Sequence, residues 1–224
     1  MGYGNTRISL AVGGAYRLCF LTGEDDGLTF AIHAYTGFVV LLLLVFRLGW
    51  GFVGSRHSRF SDFIYPWSTV RRYSVSLLKF RPDRFVGHNP LGGLMVFLML
   101  GVLLVSALSG FLMVSNNFGW LEDFHEALGE LMQILVLIHI AGVLVDQLLT
   151  RENLVWAMVS GHKPLPEDTA KNEASSAGHW KALVLAVAVV AGGTYLFQQT
   201  AYSTKVATVV GKEDDGRKNG KDDD

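Results

Sequence analysis

FHEALGELMQILVLIHIAGVLVDQLL, residues Phe124 to Leu149, decides how this chain is read. A membrane span needs about 20 apolar residues. This run has that length and is interrupted only by Glu126, Glu130 and Asp146. His125 and His139 stand fourteen residues apart within it. Fourteen residues is close to four helical turns, so both imidazoles share one face about 40° apart, with ~21 Å of rise between them. Few tasks require two imidazoles on one stripe at opposite depths of a membrane. Holding two haems, one near each surface, is such a task.

Three further runs extend the pattern outward. Leu91–Val114 carries no charge over 24 residues. Leu28–Phe46 is also uncharged and reaches Phe52 if Arg47 is tolerated, and Ala182–Phe197 is shorter but uncharged on to Ala201. Ile8–Thr22 is apolar but short and interrupted by Arg17. The expected architecture is all-α: an integral membrane helix bundle of four spans plus a short N-terminal stretch. Residues 1–27 read as an altered or partial first span with an acidic outer turn. Residues 28–163 read as the transmembrane bundle, 164–201 as a cytoplasmic connection and last span, and 202–224 as an acidic, disordered tail. Trp50, Trp67, Trp120, Trp156 and Trp180 mostly fall at span ends, where an aromatic belt accounts for them.

Charge sets the orientation. Arg47–Asn89 holds eight basic residues against Asp62 and Asp83. Gly23–Gly27 and Ser115–Glu126 hold three acids each and no lysine or arginine. The basic loop is therefore expected in the cytoplasm, with the C-terminal tail in the periplasm of a bacterial inner membrane. A net charge of −1 gives no argument for nucleic acid. The single cysteine, Cys19, excludes a C-x-x-C-H haem attachment, so any haem is held non-covalently.

An ionisable residue inside a span is costly and marks function by default. His57, His88, His162 and His179 fall in connections or at their edges, where a solvated side chain is the ordinary reading. His33 lies five residues into its span from the outer side, and His125 at the outer start of its own. The two are at similar depth, as axial ligation of one haem requires. Interhelical hydrogen bonding is the competing account of such a pair. Gly37, Gly129 and Gly142 follow His33, His125 and His139 by three or four residues and would let a porphyrin face approach the backbone. Arg47, fourteen residues after His33, is a candidate partner for a haem propionate or an anchor that snorkels to the surface.

Longer motifs sharpen this. FRLGWGFVGSRHSRFSDF (46–63), GHNPLGGLMV (87–96) and HEALGELMQILVLIHIAGVLVDQLLTRENLVWAMVSGHKP (125–164) resemble, in order, successive stretches of the bacterial cytochrome b561 family. That family includes the membrane cytochrome b subunits of nickel–iron hydrogenases. The resemblance implies haem b as cofactor, with His33 and His125 as axial ligands of an outer haem. It implies that His139 ligates an inner haem together with a first-span histidine. The family's first span normally begins with a pattern like R-x-x-H-W. Here TRISLAVGGAYRLCFLTGEDD (6–26) is family-like at its end and lacks the histidine.

The resemblance further implies electron transfer between the quinone pool and a redox partner, either a redox-enzyme subunit or a periplasmic cytochrome c. The acids Glu24, Asp25, Asp26, Glu122 and Asp123 would face a basic cytochrome c. His88, Asn89 and Gly92 would lie near the quinone, although H-N-P-x-G also reads as an ordinary helix start with proline near its first turn. Two readings from other classes stand beside it: a non-redox membrane anchor of a complex, and a small proton-coupled transporter.

Overall fold

The computed structural model describes residues 3–23, 27–54, 59–83, 85, 89–116, 118–151, 153, 156, 179–199, 203–204 and 206–208. Among these there are helices and turns and no strands. This follows from the solvent. Backbone amides in hydrocarbon must be satisfied within the segment, and a helix does so.

Six α-helices carry the fold. They are α1 (Tyr3–Leu21), α2 (Gly27–Val53), α3 (Trp67–Leu78), α4 (Pro90–Asn116), α5 (Glu122–Thr150) and α6 (His179–Gln198). Three stretches are long and apolar enough to span a bilayer: Gly27–Val53, Pro90–Ser115 and Gly119–Thr150. Leu10–Leu21 and Val184–Gln198 are shorter apolar helices. The expected fourth span is therefore present as an apolar helix, though a shorter one. The N-terminal stretch forms a longer helix than its apolar run suggested, with Arg17 exposed.

Ordinary chemistry sets the boundaries. Pro90 opens α4, and the Asn89 side-chain oxygen accepts the Gly92 amide at 2.6 Å, giving the helix a cap. Arg151 closes α5 in a left-handed conformation, φ 56°. Two short 3-10 turns, Phe60–Phe63 and Gly119–Leu121, join helices.

Helix α2 is the central element, packing against α1, α4 and α6, while α5 leans mainly on α4. Helices α1 and α6 thus share one bundle with the middle of the chain. At mid-depth Val40, Leu44, Leu103 and Met132 form a buried cluster, joined by Val12, Ala15, Tyr16 and Val136. Leu98, Val105 and Leu112 on α4, and Ile134, Leu137 and Leu148 on α5, are exposed. In a bilayer such apolar faces meet lipid rather than water.

The basic loop contains an element that the sequence pattern had not announced. Helix α3 is short, and its Val70 and Tyr73 are buried. Beside it, Phe63 sits against Gly93 of α4. A Cβ at Gly93 would stand 2.5 Å from the Phe63 carbonyl oxygen, so only glycine admits this contact. Replacing Gly93 by alanine is expected to lower thermal stability in detergent by about 1–3 kcal/mol through overpacking. Gly101→Ala, which meets nothing within 4 Å, is expected to be neutral or slightly stabilising. Equal melting of the two variants would contradict this assignment.

Candidate functional site

His33 of α2 and His125 of α5 meet inside the bundle. Their ring centroids are 5.9 Å apart and the planes cross at 86°. Imidazole nitrogens sit about 2 Å from a bound transition metal, so two rings on opposite sides of one ion have centroids roughly 6 Å apart. The observed spacing fits that requirement.

Each ring is held through Nδ1. His33 Nδ1–H donates to the Cys19 carbonyl at 2.8 Å. His125 Nδ1–H donates to the Ser106 carbonyl at 2.9 Å and lies 3.1 Å from Ser109 Oγ. A carbonyl only accepts, so each bond fixes the proton on Nδ1 and leaves Nε2 with its lone pair. Metal-ligating histidines characteristically hold their second nitrogen in this way. Cys19 Sγ lies 3.5 Å from His33 Nδ1, 3.9 Å from Nε2, and 3.5 Å from the His33 carbonyl.

The expected glycines divide. A Cβ at Gly37 would contact Cys19 Sγ at 3.6 Å, so Gly37 faces α1. Gly129 and Gly142 face open space, and the Gly129 carbonyl lies 3.5 Å from the Tyr16 hydroxyl. The glycine closest to His125 is Gly110 of α4, where a Cβ would come within 2.8 Å of His125 Cε1. Sequence reasoning missed Ser106, Ser109 and Gly110. Their signal was a small-residue run, SALSG, inside an otherwise large-residue span.

Fourteen residues further along α5, His139 is half-buried. It lines a shallow apolar concavity of about 260 Å³ with Ile140, Val143 and Leu144. Helices α2 and α5 run in the same direction, so adding fourteen residues to both His33 and His125 brings Arg47 level with His139. Arg47 is only 7% exposed, and its guanidinium lies 4.9 Å from the centre of the Phe60 ring. That burial differs from a side chain snorkelling to the surface. Helix α1 holds no histidine along its length. His57, His88 and His162 lie outside the described residues, as do Glu24, Asp25, Asp26 and the end of the tail; the His179 side chain does as well.

Asn89 and Gly92 are drawn into a cluster at the C-terminal end of α5. Asn89 Nδ2 donates to Asp146 Oδ2 at 2.8 Å, and the Tyr73 hydroxyl donates to Asp146 Oδ1 at 3.0 Å. An acid near the end of a span is thereby held by two neutral donors from α3 and from the cap of α4. The Asn89 amide serves two structural bonds at once. The sequence signal for this cluster was Asp146 itself, an acid in an apolar run.

Burial, and then the neighbouring Asp146 carboxylate, raise the Tyr73 phenol well above its ordinary value. The neutral phenol is favoured by the fold, so this contribution is present below the ordinary tyrosine pKa and is lost as pH rises past it. A phenolate absorbance titration is expected to show a late fraction, ionising only as the protein unfolds in alkali, that includes Tyr73. In Tyr73→Phe that fraction should shrink by one tyrosine; an undiminished fraction would refute the assignment.

The apolar helix bundle, together with the family and relatives it matches, marks a membrane b-type cytochrome, a protein of electron transport whose cofactor is haem b. A family model described as prokaryotic cytochrome b561 matches residues 6–161, and the chain belongs to that family. Its curated relatives include a probable Ni/Fe-hydrogenase B-type cytochrome subunit of Rhizobium leguminosarum bv. viciae, 28% identical over 160 residues, covering 59% of this chain and 67% of the relative. The Azotobacter vinelandii protein of the same description is 27% identical over 168 residues, 61% of this chain and 68% of its own. The probable Ni/Fe-hydrogenase 1 B-type cytochrome subunit of Escherichia coli K12 is 25% identical over 164 residues, 59% and 68%. No solved structure matches the chain significantly. Multi-pass membrane placement follows from the family and the apolar helices together.

Proposed function

We propose that this cytochrome carries electrons between the quinone pool and a redox-enzyme subunit, through a haem b held by His33 and His125. The observation that carries the reading is the meeting of these two imidazoles, from separate helices, each with Nδ1 committed to a carbonyl. The haem would supply the one-electron chemistry; the chain supplies the ligand nitrogens, their orientation and an apolar surround.

His139 is the candidate ligand at the inner depth, on the same stripe as His125 and level with buried Arg47, which would face a propionate there. His88, Asn89 and Gly92 are the candidate quinone region, and the bonds from Asn89 to Asp146 and Gly92 make it an organiser of that region. The partner is proposed to be a hydrogenase-type redox enzyme, because the curated relatives carry that description. A periplasmic cytochrome c is the other candidate, with exposed Glu122 and Asp123 on the facing surface. Placement in the bacterial inner membrane, with the basic loop cytoplasmic and the C-terminus periplasmic, rests on the positive-inside rule.

The reduced-minus-oxidised visible spectrum of the purified protein tests this. A sharp α-band whose outer-haem component is lost in both His33→Ala and His125→Ala is the expected result. A full, unchanged spectrum in either variant would exclude the pairing, and a wild type without the band would leave a non-redox anchor or a transporter. A pyridine haemochrome assay on His139→Ala is expected to lower the haem count per chain only if that residue holds an inner haem.

A further inference from the structure

The way His125 reaches its carbonyl follows from how side chains lie along a helix. In a helix, each side chain leans over the turn before it, so the residue at i+4 overhangs the carbonyl of residue i. The carbonyl that receives His125 belongs to Ser106, and the residue four further on is Gly110. The carbonyl that receives His33 belongs to Cys19, and the residue four further on is Gly23. A Cβ at Gly110 would stand 2.8 Å from His125 Cε1 and 3.3 Å from Nδ1. At Gly23 it would come within 3.9 Å of His33 Nδ1. At Gly23, beyond the end of α1, that is ordinary contact; only at Gly110 does glycine leave the carbonyl open to the ring.

Ser109 completes the seat for His125. It is only 4% exposed. Its hydroxyl donates its one proton to the Ser106 carbonyl at 2.8 Å. Towards His125 Nδ1, 3.1 Å away, Ser109 Oγ can therefore only accept. The Nδ1–H is forked between two acceptors that both lack a free proton, and no other tautomer satisfies all three groups. His33 has a single carbonyl acceptor and, nearby, a soft thiol. The two ligand nitrogens are thus unequally supported.

We propose that Ser109 and Gly110 are positioning residues for His125, and that Ser109 sets the electron-donating strength of its Nε2 and so the redox balance of the haem. This rests on the reading of His125 as an axial ligand. Two acceptors on Nδ1–H draw the proton outward and make the imidazole a stronger donor, which favours ferric iron. Removing the hydroxyl weakens that pull. Gly110→Ala pushes the ring off its carbonyl altogether.

The test uses the full chain, purified in detergent with its haem. In Ser109→Ala, haem content should stay at the wild-type level. The ferrous-to-ferric ratio at fixed ambient potential should rise about three- to tenfold, tenfold being about 59 mV for one electron. Ser109→Thr, which keeps the hydroxyl, should restore the wild-type ratio. Gly110→Ala should weaken haem retention about 10- to 100-fold and alter the low-spin electron paramagnetic resonance signal, while Gly101→Ala does neither. An unchanged ratio in Ser109→Ala, or full haem with an unchanged signal in Gly110→Ala, would overturn the proposal. His125→Ala separates the two levels: if it keeps the full wild-type low-spin signal, the axial-ligand reading fails, whereas a loss of signal beside an unmoved Ser109→Ala ratio defeats only the present inference.

Discussion

A polar hydrogen inside hydrocarbon has to be given to an acceptor, and this constraint organises the interior of the protein. Hydrocarbon supplies none, and each unmatched group costs several kcal/mol. The helical backbone has already spent its amides on its own carbonyls. Those carbonyls retain a second lone pair, so they are the acceptors available at depth. His33 and His125 use them, at Cys19 and Ser106. The same economy governs Asp146, whose oxygens take the Tyr73 hydroxyl and the Asn89 amide. Helix choice, side-chain orientation and the placement of glycine all follow from that single requirement.

Much of the fold was legible in the sequence because hydropathy reports burial in lipid directly. The runs at Leu28–Phe46, Leu91–Val114 and Phe124–Leu149 all lie within helices with nearly their full length. Helix α3 was not legible, because it is neither apolar throughout nor long. Its two buried residues, Val70 and Tyr73, give too sparse a stripe to stand out in a basic loop. Helix α1 was underestimated for a related reason: Arg17 interrupts the apolar count without interrupting the helix.

The candidate site was legible as residue types at a depth. Counting residues from each span end put His33 and His125 at one level, and their rings do meet. The residues that orient them were illegible because they lie on different helices and act through the backbone. No side-chain pattern announces that the carbonyl of Ser106 will serve His125, nineteen residues away. Glycine is common in membrane helices, so Gly110 could not be told from Gly101 before the neighbours of each were known. The glycines nearest the histidines in sequence were natural suspects, yet Gly37 turns to Cys19.

The support of each imidazole has a consequence for assembly. Cys19 and His33 belong to consecutive helices, α1 and α2, only a few residues apart in sequence. Ser106 and His125 belong to consecutive helices, α4 and α5, that are likewise close in sequence. Each Nδ1 bond is therefore made within one pair of consecutive helices, and the two rings then meet across the bundle. A pair inserted early can hold its ligand ready while the remainder of the chain is still being made. The two halves then need only dock, and a group bridging the rings would rivet two finished pieces together. Its binding would draw on little further ordering of either piece, the circumstance in which the least free energy is lost to arranging a site.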